Sequence, residues 1–304
     1  MTTTQTPTDA LRELYASWTE RAAANPDMDL ATMRDIYEAA HTLAAEPEGV
    51  SYRDVEANGV RAMWIIPEGA TEDAVIIYTH GGGCCVMSMH SHRKLAGHLA
   101  KAAGARVLNL DYRLAPEHPY PAQLEDARAA YRWLLDQGID PKRIATAGDS
   151  AGANLATTLA LALRDAGEQP PAAIVAFSPW YDMEHKGQTL ETNAATDALV
   201  SRPVVEMMAQ MFLGETGSPT DPLTNPLYAD PSGLPPIYMT AGGSETLLDN
   251  GQRFAELARA AGVDVTIEVT PDMQHVFPFM AGRSPQADAA IAAAGSFLRR
   301  HLGL

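Results

Sequence analysis

The pentapeptide Gly148–Gly152 (GDSAG) lies between two contrasting stretches of sequence. The apolar stretch Arg143–Ala147 precedes it and predicts a strand, whereas Ala151–Ala166, rich in alanine and leucine, predicts a helix. Glycines on both sides of Ser150 permit a sharp strand-to-helix turn with backbone angles that other residues disfavour. The motif therefore demands a fold in which a strand leads directly into a helix. It also predicts that the Ser150 hydroxyl is exposed at the carboxyl end of that strand.

The sequence on both sides of this motif alternates apolar stretches of strand length with longer helical stretches. Such alternation is typical of a mainly parallel, doubly wound sheet that right-handed crossovers cover with helices on both faces. The predicted strands are Val60–Ile66, Ala74–Thr79, Arg106–Leu110, Arg143–Ala147, Ala172–Phe177, Ile237–Ala241 and Val263–Val269. The predicted helices are Ser91–Ala103, Pro121–Gln137, Ala151–Ala166, Pro203–Leu213, Asn250–Ala261 and Ala287–His301.

Two helical additions extend this α/β unit. Residues 1–48 predict an N-terminal helical region, which Asn25-Pro26 divides into two pieces, and residues 49–304 predict the main domain. About 60 residues separate the strand ending at Phe177 from the one beginning at Ile237, which is too long for a simple crossover. Long insertions in this fold class are usually lids or substrate-binding segments, so we expect such an insertion at about residues 180–215.

Composition limits the partners and the location of the chain. Its 38 acidic and 22 basic residues give a formal net charge of −16, which disfavours nucleic acid and anionic membrane surfaces as partners. No apolar run reaches the roughly 20 residues of a membrane span, and the first residues lack the features of a secretion signal. The only cysteines, Cys84 and Cys85, are adjacent, as is typical of a reducing compartment. We therefore predict a cytoplasmic protein without stable membrane insertion.

A second glycine-rich motif, His80–Gly83 (HGGG), directly follows the predicted strand Ala74–Thr79. Acyl transfer places negative charge on a carbonyl oxygen, and preorganised backbone N–H groups can bind that charge. We predict that Gly82, Gly83 and Ala151 donate these N–H groups. A phosphate-binding loop is disfavoured, because no Lys-Ser/Thr pair follows and no G-x-G-x-x-G pattern is present.

A nucleophilic serine needs a histidine base and a carboxylate that orients it, in the chain order Ser, Asp/Glu, His. The histidines beyond Ser150 are His185, His275 and His301. His185 lies within the long insertion and His301 at the end of the terminal helix, whereas His275 follows the last predicted strand. That position predicts His275 as the base.

Three acidic residues are candidates for the carboxylate. Glu245 follows the predicted strand Ile237–Ala241 most closely, which favours it. Asp249 is better placed as a charge at a helix N-terminus, although it is the second choice. Asp272 shares the loop of His275, which makes it a weaker candidate.

These motifs closely resemble those of the hormone-sensitive-lipase-like branch of the α/β-hydrolase superfamily, which includes many bacterial carboxylesterases. The HGGG and GDSAG motifs match the oxyanion and nucleophile signatures of that branch. Asp111–Glu117 (DYRLAPE) and Asp221–Leu227 (DPLTNPL) resemble two further family segments. The chain departs from the family in having Glu245 where an Asp usually stands, and Cys84-Cys85 where a bulky aromatic residue often follows the glycines.

The resemblance implies an α/β-hydrolase fold, with a mostly parallel eight-stranded sheet and a helical cap to which residues 1–48 contribute. It implies a serine carboxylesterase that hydrolyses short- to medium-chain acyl esters through an acyl-enzyme, with no metal or organic cofactor. A lactone hydrolase and an amidase or formamidase remain alternatives. A non-catalytic small-ligand-binding module is less favoured, because Ser150, a carboxylate and His275 are all present. The sequence leaves a homodimer open.

Substrate contacts are the least constrained prediction. Methionine and phenylalanine side chains recur at helical spacing in Pro203–Leu213, a pattern typical of a packed helix face that can also contact an apolar ligand. We take Met208 and Phe212 from this helix, and Cys84 and Cys85 from the glycine-rich loop, as candidate substrate-binding residues.

Overall fold

A central eight-stranded sheet forms the core of the computed structural model, which describes residues 7–25 and 27–304. Its spatial order is β1-β2-β4-β3-β5-β6-β7-β8, in which β2 runs antiparallel to its two neighbours and all the other pairs are parallel. The strands are β1 (Val50–Ala57), β2 (Val60–Pro67), β3 (Thr71–Thr79), β4 (Ala105–Leu110), β5 (Ile144–Asp149), β6 (Ile174–Phe177), β7 (Ile237–Gly242) and β8 (Val265–Thr270). The predicted mostly parallel eight-stranded sheet is confirmed.

The helices lie between and beyond these strands. In the described residues they are α1 (Pro7–Ala24), α2 (Leu30–Glu38), α3 (Met89–Ala103), α4 (Ala122–Asp136), α5 (Ala151–Asp165), α6 (Thr189–Thr192), α7 (Arg202–Leu213), α8 (Leu248–Ala260) and α9 (Pro285–Leu302). The sequence predicted the long ones closely, but it assigned neither β1 nor the single turn α6. Residue Pro26, part of the predicted break between the N-terminal helices, lies outside the described residues.

Burial explains why the central elements have these sequences. Residues 74–79 of β3 are fully buried, because helices cover both faces of the sheet. The first thirteen residues of α5, from Ala151 to Leu163, are also buried on every side. Small side chains let α5 approach the sheet closely: a Cβ on Gly152 would lie 2.0 Å from the carbonyl oxygen of Thr79.

The N-terminal helices pack onto the main domain through buried aromatic residues and one arginine. Tyr15 and Trp18 of α1 are 1% and 2% exposed. Arg34 of α2 donates to the carbonyl of Cys85 at 2.8 Å, to the carbonyl of Ala115 at 3.1 Å and to the carboxylate of Glu117. These contacts fix α1 and α2 beside the glycine-rich loop. No helix in the described part of the chain is both long and apolar enough to span a bilayer.

Candidate active site

The predicted functional residues follow four strands of the sheet. His80 comes directly after β3 and Ser150 directly after β5, while Glu245 and His275 lie in the loops after β7 and β8. Because these strands are parallel, all four loops meet at one edge of the sheet. The chain leaves β3 for β4 on one side and then returns to β5 on the other, so this edge contains the topological switch point where α/β proteins bind ligands.

Ser150 occupies the strained turn that its motif predicts. Its backbone has φ +52° and ψ −120°, a region that few non-glycine residues adopt. Gly148 is required beside it, because a Cβ there would lie 2.5 Å from the backbone of Gly152. Ser150 is also the N-cap residue of α5, so the positive end of the helix dipole is directed at this position.

The structure brings His275 and Glu245 together, although thirty residues separate them in the sequence. Nδ1 of His275 lies 3.0 Å from Oε2 of Glu245. Both side chains are buried, at 3% and 0% exposure. With Nδ1 hydrogen-bonded to the carboxylate, Nε2 is the ring nitrogen that remains for a reacting group.

The environment of this pair shifts the pKa of each partner. Burial alone would lower the pKa of His275, but the hydrogen bond and charge of Glu245, with further negative charge from Asp197 and Asp149, outweigh burial and raise it. Burial raises the pKa of Glu245, and the contacts with His275 and Ser178 partly offset that rise. The cationic form of His275 is therefore better stabilised here than in water.

The alternative candidates lie elsewhere. Asp249 accepts a hydrogen bond from the backbone N–H of Thr189, and it lies in the first turn of α8. Asp272 is exposed, and His301 lies at the end of α9 against the ring of Phe297. His185 stacks near Trp180, where burial lowers its pKa.

The glycines of the HGGG loop meet two separate steric demands. Gly82 has φ +100°, and a Cβ on it would lie 2.3 Å from the carbonyl oxygen of Val86. Gly83 has φ +63°, and a Cβ on it would lie 2.3 Å from Sδ of Met208. The backbone itself therefore requires glycine at position 82, whereas a larger residue at position 83 would have to adopt a positive φ and displace the Met208 side chain.

A buried polar network supports this loop from behind. Oδ1 of Asp149 accepts hydrogen bonds from the Tyr78 hydroxyl at 2.7 Å and from the Gly81 N–H at 3.2 Å, and Oδ2 lies 3.2 Å from Nε2 of His92. Burial alone would raise the pKa of Asp149. His92, Tyr78 and His80 lower it by more than burial raises it, so the pKa of Asp149 lies below its usual value. Asp149 thus joins the glycine-rich loop to the strand that carries Ser150.

His80 is held in a buried structural environment. Its ring stacks on Tyr112 with centroids 4.2 Å apart, and Nδ1 lies 2.7 Å from the carbonyl oxygen of Gly81. Burial lowers its pKa to about 3, so the ring is neutral at ordinary pH.

A cavity of about 50 Å³ connects the predicted residues. Ser150, His275, Gly82, Gly83 and Met208 all line it. The remaining lining is mostly apolar and comes from the N-terminal helices and the long insertion as well as the main domain: Tyr15, Tyr37, Met87, Asp149, Trp180, Leu199, Val200, Val204, Val205, Leu247, Val276 and Phe279. No lysine or arginine of residues 7–25 and 27–304 belongs to this lining.

A second cavity, of about 10 Å³, lies beside Cys84 and the first turns of α5. Cys84, Ala151 and Phe212 line it, together with Tyr120 and Gln123. Ala151 therefore lies next to Ser150 in the chain but is part of the lining of the smaller cavity.

Cys85 lies apart from both cavities. Its thiol is fully buried and contacts the carbonyl oxygens of Gly83 at 3.1 Å and Met208 at 3.8 Å. Burial raises the pKa of Cys85 to about 12 and that of Cys84 still further, so both are held as thiols. Cys85 therefore packs behind the glycine-rich loop, and the structure does not bring it to the cavity with the other candidates.

Sequence reasoning missed several residues of the main cavity. Tyr15, Tyr37, Trp180 and Leu199 belong to segments that only tertiary packing brings to this edge, and no local motif marks them. The one sequence signal for Tyr15 and Tyr37 is that they belong to the apolar helical spacing of α1 and α2. Across the described segments, no group of three histidine, cysteine or acidic side chains is arranged to hold a metal ion.

Comparisons with known proteins agree with this architecture. A family model described as the alpha/beta hydrolase fold matches residues 76–279. An acetyl-hydrolase of Streptomyces hygroscopicus is 43% identical over 84% of this chain and 85% of its own length. A carboxylesterase of Mycobacterium tuberculosis, NlhH, is 35% identical over 86% of this chain and 83% of its own length.

Solved structures extend the likeness to the whole chain. The crystal structure of an esterase from the bacterial hormone-sensitive lipase family superposes with a TM-score of 0.93 and 44% identity, covering 98% of both chains. A structure of the esterase EstE5 soaked with p-nitrophenyl butyrate gives a TM-score of 0.89 and 33% identity, covering 98% of this chain and 99% of EstE5.

The fold and the loops at its carboxyl edge define an α/β hydrolase, as the sequence predicted. Within that class, the chain belongs to the hormone-sensitive-lipase-like family of bacterial esterases. It is a carboxylic ester hydrolase.

Proposed function

We propose that Ser150, His275 and Glu245 hydrolyse short- to medium-chain acyl esters through an acyl-enzyme. Nε2 of His275 takes the proton of Ser150 as Oγ attacks the ester carbonyl, and the imidazolium then protonates the departing alcohol. Nε2 of His275 then takes a proton from water as the water attacks the acyl-enzyme. The bond between the acyl carbon and Oγ breaks, the carboxylic acid leaves, and the imidazolium returns the proton to Ser150. Glu245 holds the His275 tautomer and stabilises the imidazolium. The N–H groups of Gly82, Gly83 and Ala151 bind the oxyanion in both steps.

The observation that carries this proposal is the buried contact between His275 and Glu245 at the cavity that Ser150 lines. A buried carboxylate on Nδ1 gives the imidazole the orientation and the basicity at Nε2 that a general base requires. The strained φ of Ser150 adds to this, because strain of this kind is typical of active sites.

The size of the cavities supports short acyl chains. A volume of about 50 Å³ holds about four water molecules, which is close to the space that a small acyl group needs. Met208 borders this space, while Cys84 and Phe212 border the smaller cavity, whose volume of about 10 Å³ is close to the limit for a single water molecule. The p-nitrophenyl butyrate soaked into EstE5 is an ester of this size class.

The N-terminal helices and the insertion act together as a cap in this proposal. Residues 1–48 and about 180–215 supply much of the apolar lining of the main cavity, and residues 49–304 carry the proposed catalytic side chains. The enzyme acts in the cytoplasm on a small-molecule ester and needs no nucleic acid. The two buried free thiols support a reducing compartment, and the net charge of −16 disfavours nucleic acid as a partner. Gel filtration tests whether it is also a homodimer.

Replacing the nucleophile tests the mechanism. Ser150→Ala should abolish turnover of p-nitrophenyl butyrate and labelling by a fluorophosphonate, while the circular dichroism spectrum and the unfolding midpoint stay close to wild type. Ser296→Ala, which alters an exposed serine of α9, is the matched control and should be labelled normally. Undiminished turnover by Ser150→Ala would overturn the assignment.

Matched substrates test the reaction class. We expect an acyl series from acetyl to dodecanoyl to peak at the short end, and an ester to be hydrolysed faster than the corresponding lactone or anilide. A higher rate on the lactone or the anilide would replace the ester assignment with one of those alternatives.

A further inference from the structure

The loops that carry Glu245 and His275 are held from outside by a short stretch of the insertion. The acid loop, residues 243–247, follows β7, and the base loop, residues 271–276, follows β8. The segment 193–200, between α6 and α7, packs against both loops. Its polar side chains make bonds that neither loop could make within the sheet.

The bonds to the acid loop converge on Asp197. Oδ2 of Asp197 accepts hydrogen bonds from the backbone N–H of Thr246 at 2.7 Å and from its hydroxyl at 3.0 Å. Thr246 is fully buried and is the residue next to Glu245. Asn193 adds a bond from its amide to the carbonyl of Glu245 at 2.9 Å. Both bonds act on the peptide that joins Glu245 to Thr246, so the 193–200 segment fixes the backbone on the C-terminal side of Glu245.

The other oxygen of Asp197 faces the substrate side. Oδ1 accepts the N–H groups of Leu199 at 2.9 Å and of Val200 at 2.8 Å, and both of these residues line the main cavity. A single carboxylate therefore joins part of the cavity wall to the loop that carries the acid. Because one side chain makes both sets of bonds, moving the wall and moving Glu245 are mechanically coupled.

The base loop is tied to the same segment by Gln274. Its Oε1 accepts the N–H of Ala198 at 2.8 Å, and its Nε2 donates to the carbonyl of Thr196 at 2.8 Å. Gln274 directly precedes His275. The segment thus binds the immediate neighbours of both Glu245 and His275, with Asp197 at its centre.

We propose that Asp197 is a positioning residue for the reaction, which holds Glu245 against His275 and fixes the adjoining cavity wall. The proposal rests on the proposed function, since it requires His275 to act as the base. The groups that bear on His275 are Glu245 from the acid loop, Asp197 from the 193–200 segment, Asp149 at the end of β5 and the Tyr15 hydroxyl of α1. Asp197 is an anion that this segment places near the histidine.

Asp197→Asn tests the proposal through two readouts. It should lower kcat/KM on the order of tenfold, a usual size for losing an outer partner of an active-site group. It should also move the acid limb of the pH profile to lower pH, because the negative charge of Asp197 raises the pKa of His275. Rates are expressed per active site, counted by fluorophosphonate titration, so that a loss of folded protein is not mistaken for an effect on the reaction.

Thr246→Val separates the bonds of the Asp197 carboxylate to the acid loop from its bonds to the cavity wall. Valine keeps the shape of Thr246 and the charge of Asp197 but removes the hydroxyl that donates to Oδ2. The same hydroxyl also donates to the carbonyl of Val200 at 3.3 Å, but Oδ1 of Asp197 keeps its bonds to Leu199 and Val200. We therefore expect kcat to fall a few-fold, with a smaller change in KM and an unchanged pH midpoint. Asp197→Asn should change kcat, KM and the midpoint together. If Asp197→Asn does not fold, a wild-type kcat for Thr246→Val overturns the proposal.

Asp249→Asn is the matched control. Asp249 is also a buried carboxylate that bonds the insertion, through Thr189, but it is not among the main groups that raise the pKa of His275. Its pH midpoint should equal that of wild type. This proposal would be overturned, while the proposed function stands, if the pH midpoint of Asp197→Asn equals that of wild type and fewer active sites account for any loss of rate. Failure of wild-type Ser150 to react with the fluorophosphonate would overturn the proposed function and this inference together.

Discussion

Backbone strain is concentrated in the residues around the proposed reaction centre. Ser150, Ser178 and Val276 have φ of +52°, +47° and +50°, although none is glycine. A β-branched residue such as Val276 is particularly disfavoured there. The hydroxyl oxygen of Ser178 accepts the N–H of Val276 at 3.0 Å, which helps to hold the base loop in this conformation. Tertiary contacts thus maintain local geometry that the sequence alone disfavours, as is common at sites of chemistry.

Gly83→Ala should impair catalysis far more than stability. The new Cβ would lie 2.3 Å from Sδ and 3.0 Å from Cβ of Met208, so the Met208 side chain or the loop must shift. We expect the loop to move and to take its N–H away from the proposed oxyanion site. Loss of one such donor costs about 2.7–4 kcal/mol, a fall in kcat on the order of 10²–10³. Steady-state kinetics on p-nitrophenyl acetate measures it.

A control and a rescue separate the contact with Met208 from the cost of positive φ. Gly69 also has a positive φ, +74°, but a new Cβ there would meet open space. The Gly69→Ala variant should therefore lose only about 1–2 kcal/mol of stability and keep its kcat. Gly83→Ala combined with Met208→Ala should recover part of the lost rate. A double variant as slow as Gly83→Ala would show that the contact with Met208 is not the cause.

The pH profile should reflect the raised pKa of His275. Only the neutral imidazole can accept the Ser150 proton, and the negative groups around it keep it protonated to a higher pH than an ordinary histidine. The acid limb of kcat/KM should therefore have its midpoint above about 6.5. Initial rates measured across pH 5–9 by pH-stat test this. A midpoint well below 6.5 would show that burial lowers the pKa of His275 by more than Glu245 and the other negative groups raise it.

At the level of the elements, the sequence predicted what local patterns encode. Ser150, Gly82 and His275 follow strands that apolar runs identify, so their meeting at one edge of a parallel sheet could be inferred. Tyr15 and Asp197 could not, because α1 and the 193–200 segment reach the site only through packing between distant parts of the chain. Nor does sequence spacing distinguish Cys84, which borders a cavity, from the adjacent Cys85, which packs behind the loop.

Helix α1 supports the base loop through the hydroxyl of Tyr15. Tyr15 donates to the carbonyl oxygen of His275 at 3.0 Å, and its ring lines the main cavity. Tyr15→Phe should destabilise the fold by about 1–3 kcal/mol, because a buried carbonyl loses its donor. It should also lower kcat, since His275 gains freedom. Urea unfolding and steady-state kinetics measure both.

The control for Tyr15 is Tyr52→Phe, which removes a hydroxyl bonded to the exposed carboxylate of Glu46. That bond lies away from the main cavity, so kcat should not change. A fall in kcat of the same size in both variants would point to a general loss of stability rather than to support of His275.

The charge of the whole molecule affects which esters reach the cavity. With a net charge of −16, the protein repels anions over distances set by ionic strength. The main cavity adds no attraction to offset this, because its ionisable lining in the described residues is Asp149, His275 and two tyrosines. Long-range electrostatics should therefore distinguish substrates that the apolar cavity would accept equally well.

Salt should change the rates on charged and neutral esters differently. Raising the ionic strength from about 0.01 to 0.15 M shortens the Debye length from about 30 to 8 Å. We expect kcat/KM to rise several-fold for a hemisuccinate ester, which is anionic, to fall for a choline ester and to stay constant for p-nitrophenyl acetate. The neutral ester is the control for salt effects on the fold. Equal responses of all three esters would show that the acidic surface does not govern access, and that the cavity alone selects the substrate.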